Sequence, residues 1–211
     1  MEAVKRFPVV IVDYGAGNLR SVAKALERVG AASTITDDPQ EVSRASTLVL
    51  PGVGAGDAAM RALGQRGLVE PLIQYARSGK PFLGICLGMH LLMEESEEGD
   101  SRCLGLMAGR AKRFPPGAKV PHMGWNQVNL ERPHPVFSGI PQGANFYFVH
   151  SYYVELDDMA VALGFTDYNI SFCSVIARGN LVATQFHPEK SGAVGLRLYE
   201  NFVRFAAGSE G

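Results

Sequence analysis

The 211-residue sequence has little cysteine and no excess of charge of either sign. Its three cysteines, Cys86, Cys103 and Cys173, are odd in number and widely spaced, which excludes a disulfide framework and a Cys-x-x-Cys metal site. Because free thiols are typical of a reducing compartment, we expect a cytoplasmic protein. With 20 Lys and Arg against 21 Asp and Glu, the chain lacks the basic surplus that predicts binding to nucleic acid or anionic lipid.

Long apolar runs are also missing from the sequence. The longest, such as residues 9–12, have the length of a strand and fall far short of the roughly 20 residues that a membrane span needs. Residues 1–6 are charged and lack the apolar stretch of a secretion signal. We therefore expect no membrane span and no secretory leader.

Strand-like apolar runs alternate with helical periodicity through the first half of the chain. Residues 7–13 predict a strand buried on both faces, and Leu19 opens a helical pattern that ends at Gly30. Further short strands are predicted at 46–50 and 82–85. Strands that alternate with helices predict a three-layer α/β fold, in which helices cover both faces of an open parallel sheet.

The pattern changes after about residue 99. Short strand candidates follow one another with Pro and Gly turns between them, at 110–114, 126–130, 145–150, 171–177 and 181–185. This spacing predicts an antiparallel extension of the parallel core. A final helix is expected from about 192 to 206. No repeat or linker interrupts the sequence, so we expect residues 1–211 to form a single domain.

The segment 84–88 has the form Gly-x-Cys-x-Gly between a predicted strand and a predicted helix. This is the thiol version of a nucleophile elbow, in which a sharp turn exposes the nucleophile and small residues two positions away allow close packing. Cys86 is therefore the candidate nucleophile, and Gly84 and Gly88 are its flanking residues. The alternative interpretation is a small buried hydrophobic residue near a strand end.

A cysteine nucleophile needs a base and a group that orients the base. His187 follows the predicted strand 181–185, and Glu189 lies two residues further, within reach of the outer imidazole nitrogen. His187 is the candidate base and Glu189 the candidate orienting carboxylate. The alternative interpretation of His187 is a loop histidine that is hydrogen-bonded to the backbone.

An oxyanion hole is predicted beside the candidate nucleophile. The segment 51–54, Pro-Gly-Val-Gly, ends the strand that should neighbour the nucleophile strand. Glycine there allows the backbone at Gly52 and Val53 to turn an N–H group toward the thiol, next to the N–H of Leu87. An ordinary strand-terminating turn is the alternative.

These segments resemble the class I (triad) glutamine amidotransferases. The resemblance is carried by Gly-Ile-Cys-Leu-Gly-Met at 84–89 and by His-Pro-Glu at 187–189, and it spans essentially the whole chain. Four further segments, at 13–19, 121–126, 147–152 and 186–191, are similar to one branch of the family. That branch comprises the glutaminase subunits of imidazole glycerol phosphate synthase, which acts in histidine biosynthesis.

The resemblance implies an activity and a partner. Cys86 would attack the side-chain amide of glutamine, and His187 and Glu189 would complete a catalytic triad. The released ammonia would pass to a (β/α)8-barrel cyclase subunit in a heterodimer, which makes imidazole glycerol phosphate and aminoimidazole carboxamide ribotide. No metal and no organic cofactor are implied.

The resemblance also assigns binding residues. It implies four contacts to the substrate, at Gly54, His90, Glu98 and Ser151, and three at the interface with the cyclase, at Asn18, Tyr147 and Lys190. Relatives usually carry glutamine where this chain has His90. The alternative for Glu98 is one member of a solvated acidic run, and the alternative for Lys190 is a solvated surface charge.

Two other functions remain open from the sequence. One is the glutaminase subunit of a different amidotransferase, for anthranilate or pyridoxal phosphate synthesis, and the segment 121–126 argues against it. The other is a catalytically silent regulatory partner of a barrel enzyme. The presence of Cys86, His187 and Glu189 argues against this second alternative.

Overall fold

A computed structural model describes residues 7–99 and 101–209. The predicted absence of a secretion signal concerns residues 1–6, which lie outside the described residues. The strands are β1 (Phe7–Val12), β2 (Ala31–Thr36), β3 (Leu48–Gly52), β4 (Phe82–Cys86), β5 (Glu95–Ser96), β6 (Ser101–Arg102), β7 (Gly109–Arg113), β8 (His122–Leu130), β9 (Ala144–His150), β10 (Tyr152–Leu156), β11 (Ala162–Tyr168), β12 (Ile170–Arg178) and β13 (Leu181–Thr184). The helices are α1 (Leu19–Arg28), α2 (Pro39–Arg44), α3 (Gly56–Gln65), α4 (Val69–Arg77), α5 (Leu87–His90) and α6 (Gly192–Gly208).

A parallel core holds the candidate site. Strands β2, β1, β3, β4 and β13 lie side by side in that order, and each neighbouring pair is parallel. Every residue of β3, β4 and β13 is buried, as expected for strands that are covered on both faces. Because parallel strands end at the same edge, the residues after β3, β4 and β13 are brought together.

The antiparallel part continues from the core. Strand β12 pairs antiparallel with β13, and it also pairs with β10 and β11. Strand β10 pairs with β7, and the hairpin of β8 and β9 attaches through β11. The prediction of a parallel core with an antiparallel extension is confirmed.

Two apolar clusters fill the space on the two faces of the sheet. One cluster contains Val42 of α2, Leu63 of α3 and Leu72 of α4. The other contains Leu26 of α1 and Phe202 of α6. Helices therefore cover both faces, and the predicted three-layer α/β fold is confirmed. Within the part of the chain that the structure describes, no helix is both long and apolar enough to cross a membrane.

The helix after Cys86 is shorter than the sequence indicates. The apolar run at 89–93 predicts a regular helix, but α5 ends at His90 and the following residues form turns. Leu91, Leu92 and Met93 are nevertheless fully buried. Their hydrophobicity therefore reflects packing in the core rather than helical periodicity. A helix of one turn also contributes little dipole at its N-terminus, next to Cys86.

Candidate active site

Cys86 occupies a strained backbone turn at the end of β4. Its φ is 53° and its ψ is −108°, a backbone conformation that residues other than glycine rarely adopt. The flanking glycines explain how the turn fits. A Cβ on Gly84 would lie 2.9 Å from the Cβ of Ala183, and a Cβ on Gly88 would overlap the carbonyl oxygen of Leu50. The Gly-x-Cys-x-Gly spacing is thus required by close packing around Cys86.

Strand pairing brings the candidate base to the same edge. In the parallel pair of β4 and β13, Ile85 lies opposite Thr184, so Cys86 and His187 both lie just beyond the paired residues. On the other side of β4, Gly52 is paired with Cys86. A Cβ on Gly52 would lie 2.8 Å from the Cβ of Leu87. The candidate nucleophile, base and oxyanion loop therefore lie at one point of the sheet.

His187 and Glu189 form a buried pair. The Nδ1 atom of His187 lies 2.8 Å from Oε1 of Glu189. Pro188 places these residues in a single turn of 3-10 helix, and Ser191 Oγ donates a hydrogen bond of 2.7 Å to the carbonyl of His187. Among the described residues, the Nε2 atom of His187 has no hydrogen-bond partner. The outer nitrogen is thus held by Glu189, while the inner nitrogen can exchange a proton with a substrate.

The electrostatic surroundings keep His187 protonated. Burial acts to lower the pKa of His187. Its interactions with Cys86 and with the Glu189 carboxylate outweigh burial and raise this pKa above its usual value. An imidazolium next to Cys86 stabilises a thiolate there. The three side chains can therefore hold a charged nucleophile and its proton donor together.

A cavity of about 490 Å³ opens beside the sulfur of Cys86. Most of the predicted site residues line it, namely Val53, Gly54, Cys86, Leu87, His90, Glu98, Ser151 and Lys190. Five residues that are not among the predicted site residues also line it, namely Ala55, Pro121, Val149, His150 and Tyr152, and all but Ala55 lie in segments that carry the family resemblance. The segments around 53, 86, 98, 121 and 151 are far apart in the sequence, so only the fold shows that they share one cavity.

Glu98 belongs to this cavity and not to a fully solvated run. Its Oε2 atom accepts a hydrogen bond of 2.9 Å from the backbone N–H of Gly56. Burial raises the pKa of Glu98, the Gly56 N–H lowers it, and the charge of Asp57 raises it, with a net upward shift. Its neighbour Glu97 is exposed and does not line the cavity. Glu98 thus presents a carboxylate that can meet a cationic group in the cavity.

Gln185 was not identified from the sequence, yet it contacts the candidate nucleophile. Its Nε2 atom lies 3.8 Å from Sγ of Cys86, and its Oε1 atom lies 2.8 Å from Nε2 of His90. His90, predicted to contact substrate, therefore uses this nitrogen on Gln185, while its ring still lines the cavity. A buried glutamine at a strand end carries no sequence signal of this role, because its contacts depend on which strands are neighbours.

Of the predicted interface residues, Lys190 lines the cavity and Tyr147 lies beside Lys190. The ammonium of Lys190 lies 5.8 Å from the ring centroid of Tyr147, and the backbone N–H of His187 donates to the carbonyl of Tyr147. Asn18 precedes α1, and this helix packs against the turn that contains Lys190. Trp125, paired with Tyr147 across the hairpin, is 59% exposed, and Met123 is 62% exposed. An apolar surface thus adjoins the candidate site.

The described residues contain no group of three or more His, Cys, Asp or Glu side chains arranged to hold a metal ion. Cys86, Cys103 and Cys173 are free thiols. Burial raises the pKa of Cys103 to about 11 and that of Cys173 to about 12. These two thiols are therefore poor nucleophiles at neutral pH, unlike a thiol paired with His187.

Comparison with known proteins agrees with this geometry. The family model "Glutamine amidotransferase class-I" matches residues 10–205. The imidazole glycerol phosphate synthase subunit HisH of Syntrophotalea carbinolica is 52% identical over 202 residues, which cover 92% of this chain and 98% of that protein. The subunit of the same name from Dehalococcoides mccartyi is 47% identical over 203 residues, which cover 96% of this chain and 99% of that protein.

Solved structures show the same fold at low sequence identity. The structure of PurLQS from Thermotoga maritima aligns with a TM-score of 0.74 at 16% identity, covering 98% of this chain and 100% of that one. A glutamine amidotransferase from Thermotoga maritima aligns with a TM-score of 0.63 at 16% identity, covering 97% and 86%. The chain therefore belongs to the class-I glutamine amidotransferase family, within its HisH branch.

Proposed function

We propose that this chain is the glutaminase subunit of an imidazole glycerol phosphate synthase and acts in histidine biosynthesis. It hydrolyses glutamine to glutamate and ammonia. The observation that carries the proposal is the edge of β3, β4 and β13, where Cys86, His187 and Glu189 meet beside one cavity. The identity to HisH subunits over nearly the full length of both chains supports the same conclusion.

The reaction proceeds in two halves. The Cys86 thiolate attacks the side-chain carbonyl carbon of glutamine, and the N–H groups of Leu87 and Val53 stabilise the oxyanion. His187 donates its proton to the amide nitrogen, so the carbon–nitrogen bond breaks and ammonia leaves a thioester. His187 then takes a proton from water, which attacks the thioester and releases glutamate and the free thiol. Glu189 holds the imidazole in place throughout.

Glutamine fits the charges around the cavity. We assign the Glu98 carboxylate to the substrate's α-ammonium group, since Glu98 lines the cavity and the Gly56 N–H fixes its orientation. Gly54, Ser151 and His90 line the same space and contact the rest of the substrate. A volume of about 490 Å³ is within the usual range for a small-molecule site.

The ammonia passes to a (β/α)8-barrel cyclase subunit, which binds over the exposed surface of Met123, Trp125, Tyr147 and Lys190. Exposed large apolar side chains beside a polar rim are typical of a protein interface, and tryptophan is a frequent anchor. Lys190 both lines the cavity and lies near the Tyr147 ring. An acidic group of the cyclase that pairs with Lys190 would couple docking to activity. Transfer within the complex keeps ammonia out of bulk water, where protonation removes its nucleophilicity.

We further propose that residues 1–211 act as one domain in the cytoplasm. One continuous sheet connects the parallel core to the antiparallel extension, which supports a single unit. The free thiols suit a reducing compartment, where a catalytic thiolate remains unoxidised.

Glutamate release, measured with and without a cyclase subunit and its substrate, tests the proposal. We expect activity that depends strongly on the partner, and we expect the Cys86→Ala variant to lose glutamine use while the cyclase still accepts ammonium salt. High activity of the isolated chain would indicate a free hydrolase instead. Absence of activity in every mixture would leave the regulatory alternative.

Docking is tested with substitutions on the exposed surface. Trp125→Ala should weaken cyclase binding by about 30-fold, because a buried aromatic anchor typically contributes about 2 kcal/mol. Ile35→Ala, at a half-exposed apolar position on the edge strand β2, is the matched control and should bind normally. Lys190→Ala should lower partner-stimulated glutaminase activity, and an unchanged stimulation would remove Lys190 from the coupling.

A further inference from the structure

We propose that Gln185 is a positioning residue for the Cys86 nucleophile, and that His90 fixes the orientation of its amide. The side chain of Gln185 is fully buried between the two residues. Its Nε2 atom lies 3.8 Å from Sγ of Cys86, and its Oε1 atom lies 2.8 Å from Nε2 of His90. The effect on turnover rests on the proposed glutaminase function, whereas the effect on thiol reactivity does not.

The direction of the amide decides its effect on the sulfur. An N–H group that points at Cys86 stabilises a thiolate, whereas the amide oxygen in that place would repel it. Because Oε1 is held by His90, the amide nitrogen faces the sulfur. The backbone of Gln185 is fixed as well, since its N–H donates a hydrogen bond of 2.9 Å to the carbonyl of Ser174. The amide therefore has a defined position without any substrate.

His90 can act as the required donor. Burial lowers the pKa of His90, and the hydrogen bond to Gln185 offsets this only in part, so the imidazole stays neutral. A neutral imidazole has one N–H group, and the contact with Oε1 assigns it to Nε2. A glutamine at this position would also offer an N–H group to the same oxygen. The chain thus keeps the donor function that a glutamine would supply.

Other titratable groups also act on Cys86, and they remain in place when Gln185 is changed. His187 interacts with it from the turn after β13, and the phenol of Tyr14, from the loop after β1, interacts with it as well. The positive charge of His187 favours the thiolate. The buried phenol of Tyr14 is neutral, so it adds no charge next to the sulfur. The contribution of Gln185 is therefore a shift superimposed on that of His187.

The pH dependence of Cys86 alkylation by iodoacetamide measures this contribution directly. The rate is followed by mass spectrometry of the Cys86 peptide, so Cys103 and Cys173 do not interfere. Gln185→Met keeps the length of the side chain but removes the N–H donor. We expect the alkylation midpoint to rise by about one pH unit, the usual effect of losing one hydrogen bond to a charged group. An unchanged midpoint in the folded variant would overturn the proposal.

The His90 variants test the second half of the proposal. His90→Phe removes the donor and should raise the alkylation midpoint, while His90→Gln should restore it to the wild-type value. If Gln185→Met does not fold, the two His90 variants test the proposal by themselves. Identical alkylation midpoints in His90→Phe, His90→Gln and wild type would then refute the role of Gln185. Asn201→Leu is the matched control, because it removes the hydrogen bonds of a buried amide to the carbonyls of Val136 and Ser138, neither of which contacts Cys86 or Gln185.

Steady-state kinetics separate positioning from substrate binding. Gln185 does not line the cavity, so Gln185→Met should lower kcat several-fold and leave KM for glutamine unchanged. A rise in KM alone would place Gln185 in substrate binding and contradict the proposal. If wild type releases no glutamate, the proposed function fails, while the alkylation profiles still report on the contact between Gln185 and Cys86.

Discussion

The imidazole of His187 and the carboxylate of Glu189 form a contact of 2.8 Å in which only 2% and 1% of the two side chains are exposed. Cys86 has the larger part in raising the pKa of His187, and the Glu189 carboxylate adds to it; Glu189→Gln keeps an oxygen that accepts from Nδ1 but removes this second contribution. The pKa of His187 should fall, so the alkaline limb of the kcat profile should move to lower pH. We expect kcat for glutamine to drop by about 100-fold or more.

The matched control is Glu200→Gln on α6, where the carboxylate pairs with Arg197 and Arg204 at the surface. Exposed ion pairs contribute little, so this variant should keep wild-type kinetics. If both variants behaved alike, the buried charge of Glu189 would have no special role in turnover.

The close approach of Gly88 to the β3 backbone gives a stability prediction. Because a Cβ at position 88 would overlap the carbonyl oxygen of Leu50, Gly88→Ala should lower the free energy of unfolding by about 3 kcal/mol. Gly64 lies in α3 with open space around it, so Gly64→Ala should raise stability by up to about 1 kcal/mol. Urea denaturation of the two variants checks both signs.

Much of this site follows from local sequence. Cys86, flanked by Gly84 and Gly88, and the pair of His187 and Glu189 are recognisable because each is a short segment at a predicted strand end. The parallel core is recognisable for the same reason, since its strands are continuous apolar runs. These features depend on residues that are neighbours in the chain.

The parts that were missed depend on tertiary contacts. The aromatic pair at 152–153 indicates only the start of β10, and nothing in the sequence predicts β11, which is held by pairing with β12 and β8 and not by a strong pattern of its own. Helix α2, also absent from the predicted elements, does carry a local signal in the sequence. Asp38 accepts a hydrogen bond of 2.8 Å from the Gln40 N–H, and Pro39 occupies the first helical turn.

A buried pair of histidines predicts how stability depends on pH. His150 donates through Nδ1 to the carbonyl of Tyr152 at 2.7 Å, so its Nε2 accepts from Nδ1 of His122 at 2.9 Å. Nε2 of His122 in turn accepts from the side-chain amide of Asn126 at 3.2 Å, so both rings are neutral. Burial lowers the pKa of His122 to about 4 and that of His150 well below its usual value.

Because the unfolded chain binds protons on these histidines near pH 6.5 and the folded chain does not, stability should fall as the pH drops from 6.5 to about 4. The raised pKa of His187 has the opposite effect on stability. Its stabilising contribution is fully present below pH 6.5 and is lost as the pH rises above that value. His122→Phe keeps a ring against Tyr168 and should reduce the acid-side slope in urea denaturation between pH 4 and 7. An equal slope in both proteins would show that the pair does not control acid stability.

The carboxylate of Glu98 provides the last test, because it separates substrate binding from chemistry. Glu98→Gln keeps an oxygen for the Gly56 N–H but loses the charge assigned to the α-ammonium of glutamine. We expect KM to rise by about 10- to 100-fold with little change in kcat, since that contact exists equally in the ground and transition states. Since the pKa of Glu98 is raised, wild-type KM should increase in mild acid, while the variant's KM should not respond.

Glu97→Gln is the control for Glu98, because its carboxylate also accepts a backbone N–H, that of Arg113 at 2.9 Å, but lies outside the cavity. Its KM should match wild type at every pH. If Glu97→Gln raised KM as much as Glu98→Gln did, the effect would come from the general field of the acidic run. A selective effect at Glu98 would instead place the ammonium group of the substrate next to this carboxylate, which fixes the direction in which glutamine enters the cavity toward Cys86.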